Sequence, residues 1–185
     1  MINQLDNSRA FTKVFIKKFP FDTDDKIYCP NKNKDIQRVT DSRVKFQKFY
    51  AYKLLETVIC QEFGVDKKDL VLTQQKTGKW TCDYCHFSIS HSKDVVCVAI
   101  SSHCVGVDIE EYNPQRFVAI RTKISNIETD GDVLNRLWTQ KEAVYKCDGC
   151  LNYDGKDYHI TSKKVVDGEF YLSVAQKEKI DVEIK

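Results

Sequence analysis

Val95-Val96-Cys97-Val98-Ala99-Ile100-Ser101-Ser102-His103-Cys104-Val105-Gly106-Val107-Asp108-Ile109-Glu110 holds two strand patterns in succession. The first part is apolar without interruption, as in a strand buried on both faces. The second part alternates, because successive strand side chains point to opposite faces. Val105, Val107 and Ile109 therefore share an apolar face, while Gly106, Asp108 and Glu110 share the other. The polar residues Ser101 to Cys104 read as the turn of a β-hairpin joining the two. On the polar face the carboxylates lie about 7 Å apart, beside a glycine that leaves room. Like charges in a partly buried place repel, and a divalent cation relieves that repulsion. An ordinary strand with a solvated polar face would carry the same letters.

On the N-terminal side, Phe87-Ser88-Ile89-Ser90-His91-Ser92 reads as a short strand ending in polar residues. On the C-terminal side, Asp132 opens a helix that runs through Lys146. Trp138, Glu142 and Lys146 recur every four residues and form one stripe; Leu134, Leu137 and Val144 face a core. Lys141 projects into that apolar arc, either to snorkel or to reach a phosphate. Two carboxylates from a strand, one from a helix and a lysine one turn on suit magnesium and phosphate chemistry. A plain surface pair between Glu142 and Lys146 is the blander possibility.

The rest of the chain is one domain's worth of residues, 185 in all, and 42% of them are hydrophobic, enough to build a core. A strand within residues 8–19 ends at Pro20. A helix follows Pro30, and a longer one spans Ser42 to Phe63, capped by Asp41 or Ser42 and ended by Gly64. Leu70 to Thr73 is a short strand, Thr77-Gly78-Lys79 a turn, and Arg116 to Ile120 helical. Strands lie near 158–166 and 169–174, and the charged tail 177–185 forms an edge strand.

A net charge of +2 argues against a general polyanion binder such as a nucleic-acid protein. Charge is uneven, however. Between Lys26 and Lys53 eight basic residues stand against two acidic ones, locally +6, which makes either a solvated helix face or an anion-binding patch. The N-terminus lacks a secretory pattern, and no apolar run reaches the length of a membrane span. A cytoplasmic protein with mostly reduced cysteines is expected. Two of the eight cysteines' pairings read C-x-x-C, Cys82/Cys85 and Cys147/Cys150. They leave open a zinc-stabilised binding module, although their separation exceeds that of a zinc ribbon.

F-S-I-S-H-S, G-V-D-I-E and W-T-Q-K-E-A-V-Y-K, in this order, resemble the 4′-phosphopantetheinyl transferases, in the pseudodimeric class that activates nonribosomal peptide and polyketide synthases. The resemblance extends back through Gly64-Val65-Asp66-Lys67-Lys68-Asp69-Leu70 and Thr77-Gly78-Lys79. It implies an α+β fold of two similar halves, residues 1–104 and 105–185, related by a pseudo-twofold axis with the site between them. It implies coenzyme A as donor, a carrier-protein serine as acceptor, 3′,5′-adenosine bisphosphate as leaving group, and a monomer. Carried to the matching positions, it makes Asp108, Glu110 and Glu142 the magnesium ligands. Glu142, or a metal-bound water it orients, becomes the base on the serine, and Lys146 stabilises the pyrophosphate. Ser90 and His91 contact phosphate, Gly78 and Lys79 lie beside the nucleotide, and Lys34, Arg38 and Lys48 meet the 3′-phosphate. Trp80 stands where many relatives have proline. Lys146-Cys147-Asp148-Gly149-Cys150-Leu151 lacks the second glycine of the usual G-x-G-L run, and the connection from Glu110 to Trp138 is short. The altered glycine region leaves open an inactive relative that only binds carriers.

Overall fold

A computed structural model describes residues 10–24, 26–76, 78–149 and 157–185. In chain order its elements begin with strand β1 (Thr12–Lys18), helices α1 (Pro30–Gln37) and α2 (Ser42–Phe63), and the short strands β2 (Thr73–Gln74) and β3 (Trp80–Thr81). Strands β4 (His86–Ser92), β5 (Val95–Ser101) and β6 (Val105–Glu111) follow, then α3 (Pro114–Ala119) with a 3-10 turn, and α4 (Gly131–Asp148). The chain closes with β7 (His159–Val165), β8 (Phe170–Gln176) and β9 (Val182–Ile184). This is a mixed α+β architecture.

Local chemistry explains where the helices begin and end. α1 and α3 each start on a proline, whose fixed φ suits the first helical position. Asp41 caps α2 by accepting from the Val44 N–H, and Gly64 ends it at φ 66°. α4 differs from expectation at its start. Asp130 is the cap, accepting from the N–H groups of Asp132 and Val133. Asp132 sits inside the first turn instead, where it accepts from the Tyr171 hydroxyl and pairs with Lys164.

The strands form one sheet in the order β4-β5-β1-β9 and a second in the order β6-β8-β7. β5 and β6 are therefore not the two arms of a hairpin. Both edges of β5 are taken, by β1 and β4, while β6 pairs with β8. The turn after Ser101 carries the chain from one sheet to the other. Leu70 to Leu72 is likewise not a strand; Leu70 and Leu72 are buried as irregular chain, and pairing begins only at Thr73. The tail does supply an edge strand, with β9 lying parallel to β1.

Four layers result. α2 packs on the first sheet through Leu55, Ile59, Val96, Val98 and Ile100. The two sheets face each other through Val14, Cys97 and Ala99 on one side and Val107, Ile109, Leu172 and Val174 on the other. α4 covers the outer face of the second sheet at Ala143, Val144 and Ala175. Each fully buried aliphatic side chain here contributes about 1.5–3 kcal/mol. The connectivity repeats: strand, short proline-led helix, long helix and hairpin, with the hairpin's second strand paired to the first strand in both cases. β1-α1-α2-β4-β5 and β6-α3-α4-β7-β8 follow this same path.

Candidate active site

The site is built where α4 rests on β6. Gly106 sets the closeness of that contact. A Cβ at this position would lie 1.9 Å from the carbonyl oxygen of Ala143 and 2.5 Å from the backbone nitrogen of Cys147. Only a hydrogen fits, so the helix backbone lies directly on the strand. Asp108 and Glu110, next along the same face, are brought under α4 as the alternation predicts.

The free edge of β6 faces β4, in the other sheet. Ser88, Ser90 and Ser92 accept from the N–H groups of Val107, Ile109 and Glu111 at 3.1, 3.2 and 3.1 Å. Side-chain hydroxyls here do what a partner backbone does within a sheet. Two of them also donate onward, Ser90 to Asp108 Oδ1 at 2.8 Å and Ser92 to Glu110 Oε2 at 3.0 Å. Ser88→Ala is expected to cost about 1–3 kcal/mol, because it leaves the buried Val107 N–H without an acceptor. Urea unfolding measures it, and wild-type stability would show that the hydroxyl is dispensable.

Lys146 closes the arrangement from α4. Its Nζ donates to Asp108 Oδ1 at 2.7 Å and to Ser90 Oγ at 2.9 Å. Asp108 is only 4% exposed. Burial pushes its carboxyl up to about 6, outweighing the charge and hydrogen bond of Lys146 that act the other way. Its second oxygen, Oδ2, is buried and has no hydrogen-bond partner among the described residues.

The remaining two candidate carboxylates lie on the same two elements, Glu110 on β6 and Glu142 on α4, but are differently engaged. Glu110 accepts from Ser92 and pairs with Arg116 at 3.2 Å. Glu142, one turn before Lys146 and half-buried, has no hydrogen-bond or ion-pair partner among the described residues. As arranged here, no group of three or more His, Cys, Asp or Glu side chains among the described residues is drawn together tightly enough to hold a metal ion. His91 lies on the opposite face of β4 from the serines, beside the α2 layer. Burial holds its imidazole below its ordinary value, and the charges of Lys146 and Lys48 push the same way.

Two curated proteins share this sequence pattern. 4′-Phosphopantetheinyl transferase Sfp of Bacillus subtilis (strain 168) is 32% identical over 111 residues, 52% of this chain and 49% of that protein. 4′-Phosphopantetheinyl transferase gsp of Aneurinibacillus migulanus is 28% identical over 109 residues, 52% of this chain and 45% of that protein. The chain is a relative of the Sfp-type 4′-phosphopantetheinyl transferases. It spans about half the length of the curated relatives it matches. No protein-family model matches it.

Among the candidate residues of this transferase relative, the structure gathers Ser90, Asp108 and Lys146 into one hydrogen-bonded group and sets His91 within reach of the Lys146 and Lys48 charges. It separates others. Lys34 and Arg38 are exposed on and just after α1. Lys48 pairs with Asp35 at 3.6 Å. Gly78 sits at φ 87° in the turn between β2 and β3. Lys79 is turned onto the end of α4, donating to the Cys147 carbonyl at 2.7 Å. Two of the eight basic residues of the segment are spent inside the fold. Lys53 is fully buried against Glu56 and Asp24, and Lys32 lies over the Trp80 ring at 4.4 Å. Lys141 reaches no open site; it hydrogen-bonds the Ile124 carbonyl.

Three participants escaped the sequence reading: Ser88 and Ser92 as the seam, and Arg116 on Glu110. The serines did leave a signal, since hydroxyls at alternate positions of a strand all face one way. Arg116 left none, because its contact depends on how α3 folds back. Cys147 meets Cys104, not Cys82 or Cys85, and Cys150 lies outside the described residues. No helix among the described residues is long and apolar enough to cross a membrane.

Proposed function

We propose that this protein transfers the 4′-phosphopantetheine arm of coenzyme A to a serine hydroxyl of an acyl or peptidyl carrier protein, releasing 3′,5′-adenosine bisphosphate. The observation that carries the reading is Asp108: a buried carboxylate with Lys146 and Ser90 on one oxygen and, among the described residues, no hydrogen-bond partner on the other. A buried charged oxygen without a partner is costly. A hard cation is the ligand that would satisfy it; magnesium takes carboxylate oxygens of this kind, and Glu110 and Glu142 would have to close on it from β6 and α4. Asp108, Glu110 and Glu142 would hold that ion, with Glu110 exchanging its contact to Arg116. Bound there, magnesium would neutralise charge on the pyrophosphate of coenzyme A.

The chain's own residues supply the rest. Glu142 takes the proton of the carrier serine as its oxygen bonds to the β-phosphorus. The bond from that phosphorus to the bridging oxygen breaks, and its electrons leave with the adenosine bisphosphate. Lys146 lies against the phosphates and stabilises the growing negative charge. His91 and Ser90 orient the pyrophosphate, and Gly78, Lys79, Lys34, Arg38 and Lys48 bind the nucleotide end. Lys79 must turn from the Cys147 carbonyl to do so. The repeated connectivity supports two halves, 1–104 and 105–185, related by a pseudo-twofold axis; a cytoplasmic monomer goes with the transferase reading itself.

The test is to incubate the protein with magnesium, coenzyme A and several apo carrier proteins, and weigh the carriers. A carrier heavier by the phosphopantetheine arm is expected; no gain on any carrier would sink the reading. A pH dependence follows from Asp108. Its folded pKa of about 6 lies above the ordinary carboxylate value near 4. Ionising it in the metal-free protein therefore costs stability as pH rises across that window. Magnesium binds the ionised form, so its stabilising effect on Tm is expected above about pH 6 and should fade below it. A magnesium shift that is equal at pH 5 and pH 7.5 would contradict this.

A further inference from the structure

Cys104, in the turn between β5 and β6, and Cys147, near the C-terminal end of α4, are distant in sequence but adjacent in space. Their sulfurs lie 3.5 Å apart. Cys147 is buried and Cys104 is partly exposed. Lys79 stands over the pair, its Nζ 3.8 Å from Cys104 Sγ and 2.7 Å from the Cys147 carbonyl oxygen. As a thiol, Cys104 donates to that same carbonyl at 2.8 Å. As a thiolate, it accepts the Cys147 S–H and faces the Lys79 ammonium. We propose that Cys104 and Cys147 are a reversible disulfide site, with Cys104 the attacking thiolate, Cys147 the resolving thiol and a hydroperoxide the oxidant.

Electrostatics agree with that division of roles. The Cys147 hydrogen bond, helped by Lys79 and Lys177 against burial and Asp148, brings the Cys104 thiol down to about 6. The hydrogen bond to Cys104 and burial push Cys147 up. A thiolate that is accessible, cation-stabilised and beside a second thiol is the arrangement that reacts with peroxide and is then resolved. The Cys104 sulfur attacks one peroxide oxygen; the O–O bond breaks and its electrons leave as alkoxide or hydroxide. The Cys147 sulfur then gives up its proton and attacks the sulfenic sulfur, forming the S–S bond and expelling water. Two thiols and one hydroperoxide thus give a disulfide, an alcohol or water, and one further water.

Closing the bond needs the sulfurs to approach to about 2.05 Å. That draws the β5–β6 turn onto α4 one residue beyond Lys146, and it takes the thiolate away from Lys79. Among the described residues, Cys82 and Cys85 also lie close and are the rival target. There the Cys85 hydrogen bond also lowers the Cys82 thiol, but its charged neighbour, Asp83, acts the other way, whereas Cys104 has the Lys79 ammonium beside it. The site stands on thiol geometry alone and does not depend on the transferase reading.

The experiment treats the full chain with about one equivalent of hydrogen peroxide, alkylates the remaining thiols and maps the peptides by mass. The expected product is a Cys104–Cys147 linked peptide that dithiothreitol reverses. Cys104→Ser should abolish the link. Cys147→Ser should leave Cys104 as a sulfenic acid that dimedone traps. A wild-type map in which Cys104 and Cys147 are both alkylated while Cys82–Cys85 is oxidised would overturn the proposal, as would Cys104 passing to sulfinic acid without cross-linking. Should either variant fail to fold, the wild-type map decides.

Discussion

Glu142→Gln is expected to lower phosphopantetheine transfer by about 10²–10⁴-fold, the range of a lost general base, while Tm stays close to wild type. The two halves of this expectation have separate grounds. Glu142 projects from α4, half-buried, and among the described residues its carboxylate holds nothing in place. Glutamine has the same shape, so the native fold loses no hydrogen bond or ion pair. The loss falls on proton transfer and on magnesium, for which an amide oxygen is a weaker ligand than a carboxylate. Single-turnover mass measurements on a carrier protein read the first effect, and magnesium titration of Tm reads the second. Wild-type transfer in the variant would remove Glu142 from the chemistry. Lost transfer with a lowered Tm would make it a structural residue instead.

Gly106→Val is the largest expected effect on the fold, at least about 3 kcal/mol, the upper end for overpacked cores. At 1.9 Å from a backbone carbonyl, the new Cβ meets an atom that cannot rotate away. α4 must lift from β6, and with it Lys146 leaves Asp108 and Ser90. The buried Asp108 carboxylate would then have lost its ion pair as well, which adds to the cost. Chemical denaturation measures the loss, and magnesium-dependent stabilisation should vanish with it. Gly106→Ala places the same Cβ and should show a smaller version of the same defect. An alanine variant with wild-type Tm would mean that helix and strand do not touch as described.

Some of this was legible beforehand. The alternation of Val105 to Glu110 assigned both faces correctly, with Val107 and Ile109 between the sheets and Gly106 beneath α4. The caps of α2 were legible too, because Asp41 and Gly64 act within one helical turn. Other readings failed for one reason. The expected hairpin required β5 to pair with its sequence neighbour, but β1, from far earlier in the chain, had already taken that edge. The +6 of the basic segment did not tell which of its side chains face outward: Lys53 and Lys32 are drawn inward by partners that charge counting does not see. Lys146 had a carboxylate four residues away on its own helix, and it paired with Asp108 across the sheet instead.

From the sequence alone, then, come the faces of β6, the ends of α2 and the order of the three motifs that mark the transferase resemblance. Each depends on forces that act over a pleat or a turn. The tertiary structure decided which edges pair, that Ser88, Ser90 and Ser92 seam two sheets, and that one oxygen of Asp108 has no hydrogen-bond partner among the described residues. It also decided that Cys147 meets Cys104 rather than either cysteine of the other C-x-x-C. The physical reason is burial: which distant surfaces cover one another is set by closing the whole core, and no local pattern of residues contains that outcome.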